Sequence, residues 1–306
     1  MRVLKYETET GPKLGIQQAE AGRGFDPDGR VYDLTSVLQN HFERQGGGVP
    51  AIPAVCDVEQ LADLGLLDVS ALRRILSSVD EEEGYLVSAR PLRLLSPIAR
   101  PKKIIALGMN YRSHAKELGR GAPSEPIIFA KAPTSVIGHE EPVKYYRELD
   151  RTDPEVELGV VISRRARNVK AGDALSFVGG YVVVNDVTAR SVQERDMASR
   201  QPWFRSKSLD TFCPLGPAIV LPDEMPNPNE LNLQLRVNGE LRQNSNTREL
   251  IFNVENLLEY ITQYITLEPG DLIATGTPEG IAPVRPGDMM EAWIEGIGTL
   301  RNPVVG

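Results

Sequence analysis

The chain has 306 residues, 41% hydrophobic and 25% charged, an ordinary globular composition that argues against a disordered chain and leaves ample material for a core. A formal net charge of −8 argues against nucleic-acid binding, and no apolar run is long enough to span a membrane. Two cysteines are too few for a disulfide framework and three histidines too few for a His-rich zinc site. The start "MRVLKYETET" lacks the basic-then-apolar shape of a signal peptide, so a reduced, cytoplasmic setting is expected.

The first hundred residues read as a small α+β module. "RVLKYE", "KLGIQQ" and "GRVYDL" are short strand candidates separated by Gly, Pro and Asp turn signals. The stretch "VEQLADLGLLDVSALRRILSSV" places leucines and alanines at helical spacing. Pro91, Pro97 and Pro101 then make "RPLRLLSPIARPKK" an extended connector. A boundary near residue 100 divides an accessory domain, 1–100, from the main domain, 101–306.

Beyond it the chain is strand-dominated α+β. Apolar, β-branched segments such as "KIIALGM", "PIIFAK", "VELGVVIS", "GYVVVNDV", "PAIVLP", "LNLQLRVNG" and "GDLIATGT" alternate with turns. Helices are expected only at about 112–118, 188–199 and 253–264, and Asn238-Gly239 marks a hairpin. There is no internal repeat and no glycine-rich phosphate loop.

Four places carry chemistry. In "DPEVELGVVI", Glu155 and Glu157 lie two apart and share one face of a strand that runs into apolar residues. An isolated Glu-x-Glu is ordinarily a solvated strand edge, but "GYVVVNDVTAR" is a second buried-looking strand ending in an acid, Asp186. Three acidic oxygens converging from two strands suit a hard divalent cation: Mg²⁺, Mn²⁺ or Ca²⁺. In "GMNYRSHAKELG", His114 and Glu117 are three apart on a helical turn, where a carboxylate would fix the imidazole as a general base, or the two are an ordinary pair on a surface helix. Gly108 and Gly119 flank that segment and would let it move as a lid. In "WFRSKSLDTFCPLGP", Lys207 either stabilises an enolate or is a solvated lysine, with Arg205 beside it; Cys213 reads as a small buried residue. "TGTPEGI" offers N–H groups and hydroxyls to an anion, or is a Gly-Pro turn.

Together "GMNYRSHAKE", "DPEVELGVVI", "GYVVVNDVTARSVQERD", "WFRSKSLDTFCPLGP" and "GDLIATGTPEGI" resemble the fumarylacetoacetate hydrolase family in order and spacing, over about residues 100–306. The resemblance implies a mixed β-roll, usually a homodimer, with Glu155, Glu157 and Asp186 as ligands to Mg²⁺, or to Mn²⁺ or Ca²⁺. It implies His114 and Glu117 as the dyad that activates water and Lys207 as the enolate-stabilising lysine. Arg190 and Gln193 match substrate-reaching positions, and Gly276 and Thr277 match the loop that holds the substrate carboxylate. "IIALGMNY" contains no acid, which sets the chain apart from fumarylacetoacetase itself and favours the three-carboxylate subgroup. The implied activity is hydrolysis of a 2,4-dioxo acid through a metal-bound enolate to pyruvate and a carboxylate. Decarboxylation or isomerisation of a 2-oxo or 2-hydroxy-dienoic diacid is the alternative on the same site, and a non-catalytic binding protein is the alternative of another class.

Overall fold

The computed structural model describes residues 1–18, 24–45, 54–79, 84–90, 92–117, 119 and 121–306. Pro91 of the connector and the last residue of the helix expected at 112–118 lie outside them. The chain opens with β1 (Arg2–Thr8), β2 (Gly11–Gln17) and β3 (Arg30–Asp33). Helices α1 (Leu34–Gln45), α2 (Val58–Asp63) and α3 (Val69–Leu76) follow, then β4 (Leu86–Ser88) and β5 (Leu94–Leu95). Asp68 starts α3 by accepting the Ala71 N–H at 2.9 Å, which satisfies one of the donors that a helix end leaves unpaired.

Next come β6 (Ile104–Gly108), α4 (Arg112–Glu117), β7 (Ile127–Lys131), β8 (Val136–Ile137) and β9 (Val143–Lys144). The centre of the chain forms β10 (Thr152–Asp153), β11 (Val156–Ile162), β12 (Val178–Asn185) and β13 (Thr188–Ala189). It continues into α5 (Arg190–Ala198), α6 (Phe204–Lys207) and β14 (Cys213–Val220). The last third holds β15 (Asn232–Val237), β16 (Glu240–Asn246), α7 (Val254–Tyr264), β17 (Leu272–Ala274), β18 (Met289–Ile294) and β19 (Gly298–Val305). Asn238 and Gly239 both have positive φ, 52° and 80°, and turn β15 into β16 as the hairpin signal predicts.

Among the described residues the strands form a twelve-stranded sheet in the order β4-β3-β2-β1-β14-β12-β11-β17-β6-β7, with β5 on β1 and β8 on β14. A five-stranded sheet, β16-β15-β18-β19-β9, and the short pair β10-β13 complete the set. Because β1 pairs with β14, the strands before residue 100 extend the same sheet as those after it.

Both faces of β11 and β12 are covered, which explains why they read as continuous apolar runs. On one face Val156, Leu158 and Val160 pack with Leu233 and Leu235 of β15 and with α7. On the other, Val161, Val182 and Val184 pack with Leu38, Leu61 and Leu72 of the N-terminal helices. This is the expected strand-dominated α+β roll. No helix among the described residues is long and apolar enough to cross a membrane.

Candidate active site and metal centre

Register decides which acids meet. β11 and β12 are antiparallel with Val156 opposite Asn185 and Glu157 opposite Val184, so one step further Glu155 stands opposite Asp186. The Asp186 N–H donates to the Glu155 carbonyl at 2.8 Å and continues the ladder past the strand ends. Glu155 and Glu157 share a face by the two-residue period, and directly opposed residues share it too. All three carboxylates therefore point to one spot, each offering an oxygen within 4.8 Å of the others, and all three are buried.

What balances them is mostly protein. Lys207 of α6 places Nζ 2.7 Å from Glu155 Oε2 and 2.6 Å from Asp186 Oδ2. Lys131, at the end of β7, donates to Asp186 Oδ1 at 2.6 Å and to the Lys207 carbonyl. Arg190 donates from Nε to Asp153 Oδ2 at 2.8 Å and from its other nitrogens to Glu155 and Gln193. Burial pushes Glu155 toward the neutral form, but Lys207 and Arg190 outweigh it and hold the carboxyl well below the usual range. Burial would also strip Lys207 of its proton, yet Asp186 and Glu155 overcome this and raise its pKa.

Glu157 differs. Among the described residues its carboxylate makes no ion pair and one hydrogen bond, from the Gly276 N–H at 2.8 Å. Burial, then the charge of Asp186, drives its pKa well above the carboxylate range. A buried acid with no ion pair among the described residues, beside two others, is the donor set a hard divalent cation fits, since such an ion takes oxygen ligands and supplies further positive charge. Glu155, Glu157 and Asp186 are the residues that would hold it.

His114 and Glu117 are on α4, with His114 Nδ1 2.9 Å from Glu117 Oε2. The other oxygen of Glu117 accepts the Gly280 N–H at 3.0 Å, so the carboxylate is fixed from two sides. His114, Glu155, Glu157, Arg190, Gln193, Lys207 and Thr277 line one small pocket. Its remaining wall is apolar: Leu107, Met109, Phe129, Met197 and Trp203. Phe129 and Trp203 meet edge to face at 5.6 Å, and Lys207 Nζ lies 5.2 Å over the Phe129 ring.

Several expectations acquire different surroundings. The Gly276 N–H is given to Glu157, and the Thr277 hydroxyl donates to the Val156 carbonyl at 2.9 Å while accepting from Gln243. Gly108 pairs with Ile127 inside the sheet, and a Cβ there would lie 2.5 Å from Trp203 Cζ3, so this glycine admits an indole rather than forming a hinge. Gly119 does take a positive φ of 67°. Arg205 is largely exposed but grips buried Asp196 through Nε at 3.0 Å, joining α6 to α5. Cys213 is fully buried, and burial pushes its thiol up to about 12. Lys131, Asp153 and Gln243 are site neighbours that the sequence does not advertise. The only mark on Lys131 is its place at the end of an apolar strand.

Comparison with known proteins shows the family. Residues 103–305 match the family model described as fumarylacetoacetate hydrolase C-terminal. A mitochondrial oxaloacetate tautomerase from Xenopus laevis is 36% identical over 100% of this chain and 98% of its own length. The structure of 5-carboxymethyl-2-hydroxymuconate delta-isomerase from Mycobacterium smegmatis is 34% identical, with a TM-score of 0.74 over 100% of this chain and 98% of that one. Maleylpyruvate hydrolase from Sphingobium, solved with manganese and pyruvate, is 28% identical with a TM-score of 0.75 over 100% and 99%. The chain belongs to the fumarylacetoacetate hydrolase family.

Proposed function

We propose that this protein is a divalent-cation-dependent hydrolase that cleaves a C–C bond in a short 2,4-dioxo acid with an apolar tail, giving pyruvate and a carboxylate. His114, with Glu117 bonded behind it, lines the same pocket as Glu155 and Glu157 of the three-carboxylate cluster, and this carries the reading. A cation there, Mg²⁺ with Mn²⁺ or Ca²⁺ as substitutes, would supply Lewis-acid polarisation of the 2-oxo carbonyl.

The chain's own groups do the rest. Glu117 holds His114 through Nδ1, leaving Nε2 to take a proton from water. The water oxygen adds to the C4 carbonyl, the C3–C4 bond breaks, and its electron pair becomes the pyruvate enolate. His114 returns its proton to C3, and the new acid releases one proton to solvent. The Lys207 ammonium faces the negative charge that develops, in a site too buried for bulk water to compete. The apolar wall of Met109, Met197 and Trp203 favours an alkyl tail over a second carboxylate.

A second reading, keto–enol interconversion of a 2-oxo diacid, is favoured by the tautomerase that aligns along the entire chain. There His114 moves a proton between C3 and oxygen, and no water is consumed. Pyruvate release from acetylpyruvate and longer acylpyruvates, with Mg²⁺ and after EDTA, tests the first reading; the ultraviolet decay of enol-oxaloacetate tests the second. Full pyruvate release in a verified cation-free sample refutes the proposal. A homodimer in the cytoplasm belongs to the same reading, and sedimentation of the purified protein tests the assembly.

A further inference from the structure

We infer that Gln243 is a positioning residue that sets the candidate cation site, by clasping the peptide between Glu155 and Glu157 to the loop that carries Gly276, Thr277 and Gly280. This rests on the cation-site reading above. β17 pairs with β11 only at Gly159, Val160 and Val161, so Val156 lies beyond the ladder on that side. Side chains take over where the strand stops. Gln243 Oε1 accepts the Val156 N–H at 2.9 Å, and the Thr277 hydroxyl donates to the Val156 carbonyl at 2.9 Å. Gln243 Nε2 closes the triangle, donating to Thr277 Oγ1 at 2.9 Å and to the Pro278 carbonyl at 2.8 Å. Both main-chain groups of the residue separating the two glutamates are thus held by one clasp.

Its setting shows that the carboxamide is built in. Gln243 is fully buried on β16, although Glu240, Leu241, Arg242 and Asn244 are exposed. Both donors and one of its acceptor pairs are used. The same loop lies directly on β16: Gly280 has φ +99°, and a Cβ there would meet the Arg242 carbonyl oxygen at 2.1 Å. From this point the Gly280 N–H reaches Glu117, and Glu117 reaches His114. One side chain of the smaller sheet therefore aligns the acids of the larger sheet and, through the loop, the acid–base pair.

The test is Mn²⁺ binding to the full chain, read as free Mn²⁺ by electron paramagnetic resonance, with circular dichroism as the check on folding. Gln243→Met and Thr277→Val should each weaken Mn²⁺ by about 10- to 100-fold, the usual effect of losing an outer-shell partner. The double variant should lose little more than either single one, because both act through one clasp. The line shape of the residual bound Mn²⁺ should also change, which a purely global loss of stability does not produce. Gln243→Asn keeps a carboxamide but is too short to span both segments; it carries the same expectation if the methionine variant does not fold. Asn244→Ala, on the exposed neighbour, should bind Mn²⁺ unchanged. Affinity within twofold in a folded Gln243 variant, additive losses in the double variant, or an equal loss in Asn244→Ala overturns the inference. Failure of the unaltered protein to bind Mn²⁺ overturns the cation reading and this inference with it.

Discussion

Replacing Lys131 with methionine measures how far the carboxylate cluster depends on protein cations. Lys131 is 2% exposed, and its ammonium is 2.6 Å from Asp186 Oδ1. Methionine keeps the stem and removes the charge, leaving Asp186 with Lys207 as its remaining ion-pair partner. Removing one member of a buried pair costs about 3–5 kcal/mol, mainly because the other charge stays desolvated. Unfolding entropy near 2.1 cal/mol/K per residue gives about 0.64 kcal/mol/K for a chain of this length, so the variant should melt about 5–8 °C lower. A cation at 100 times its Kd adds about 2.7 kcal/mol to a folded state that binds it. It should add more to the variant, where it also meets the charge freed on Asp186, so the gap in Tm should narrow. Differential scanning calorimetry in EDTA and in excess Mn²⁺ reads both quantities. A loss under about 1 °C in EDTA refutes the claim of a buried, charged Lys131–Asp186 pair. A gap that Mn²⁺ leaves untouched refutes the placement of the cation at Asp186.

Gly108→Ala should push the Trp203 indole into the pocket and raise KM for acylpyruvates several-fold, with Mn²⁺ affinity unchanged; an unaltered KM removes Trp203 from the substrate wall. Thiol titration of the native protein at pH 8 should find Cys56 alone, with Cys213 appearing only on denaturation; two fast thiols would contradict its burial. Burial holds His139 below its ordinary pKa, so the folded chain prefers the neutral ring and the unfolded chain binds the proton first. Its share of stability is therefore present above pH about 6.5 and lost as pH falls below that value. Denaturation midpoints for His139→Gln should fall less between pH 7 and pH 5 than those of the parent, and parallel slopes would show that His139 does not contribute.

The three acids are legible because two signals coincide there: the strand period puts Glu155 and Glu157 on one face, and a second apolar strand ends at Asp186. Their meeting needs only the antiparallel register of neighbouring strands, the shortest-range fact of a sheet. His114 and Glu117 are legible for the same reason, being one helical turn apart. Gln243 is not, since its partner Val156 is 87 residues away and its own strand, "ELRQNSN", is otherwise a solvated edge. Lys131 resembles any lysine that closes a strand until Asp186, 55 residues later, arrives beside it. Gly108 suggests a hinge because the sequence cannot show Trp203 lying against it. The strands before residue 100 look like a separate module because nothing local reports that β1 will join β14.

That last pairing has a consequence for biosynthesis. β1 and β2 can close as a hairpin as soon as they leave the ribosome, and residues 94 and 95 cover Lys5 and Tyr6, but the outer edge at Arg2 and Val3 takes its partner from residues 219 and 220. At about 5–20 residues per second, some 200 further residues take about 10–40 s to emerge. Throughout that interval the Arg2–Val3 end of the strand keeps an open hydrogen-bonding edge, the template that other chains pair with when they aggregate. The buried Arg2 at this end puts charge where a foreign strand would dock, until the chain's own central strand arrives to cover it.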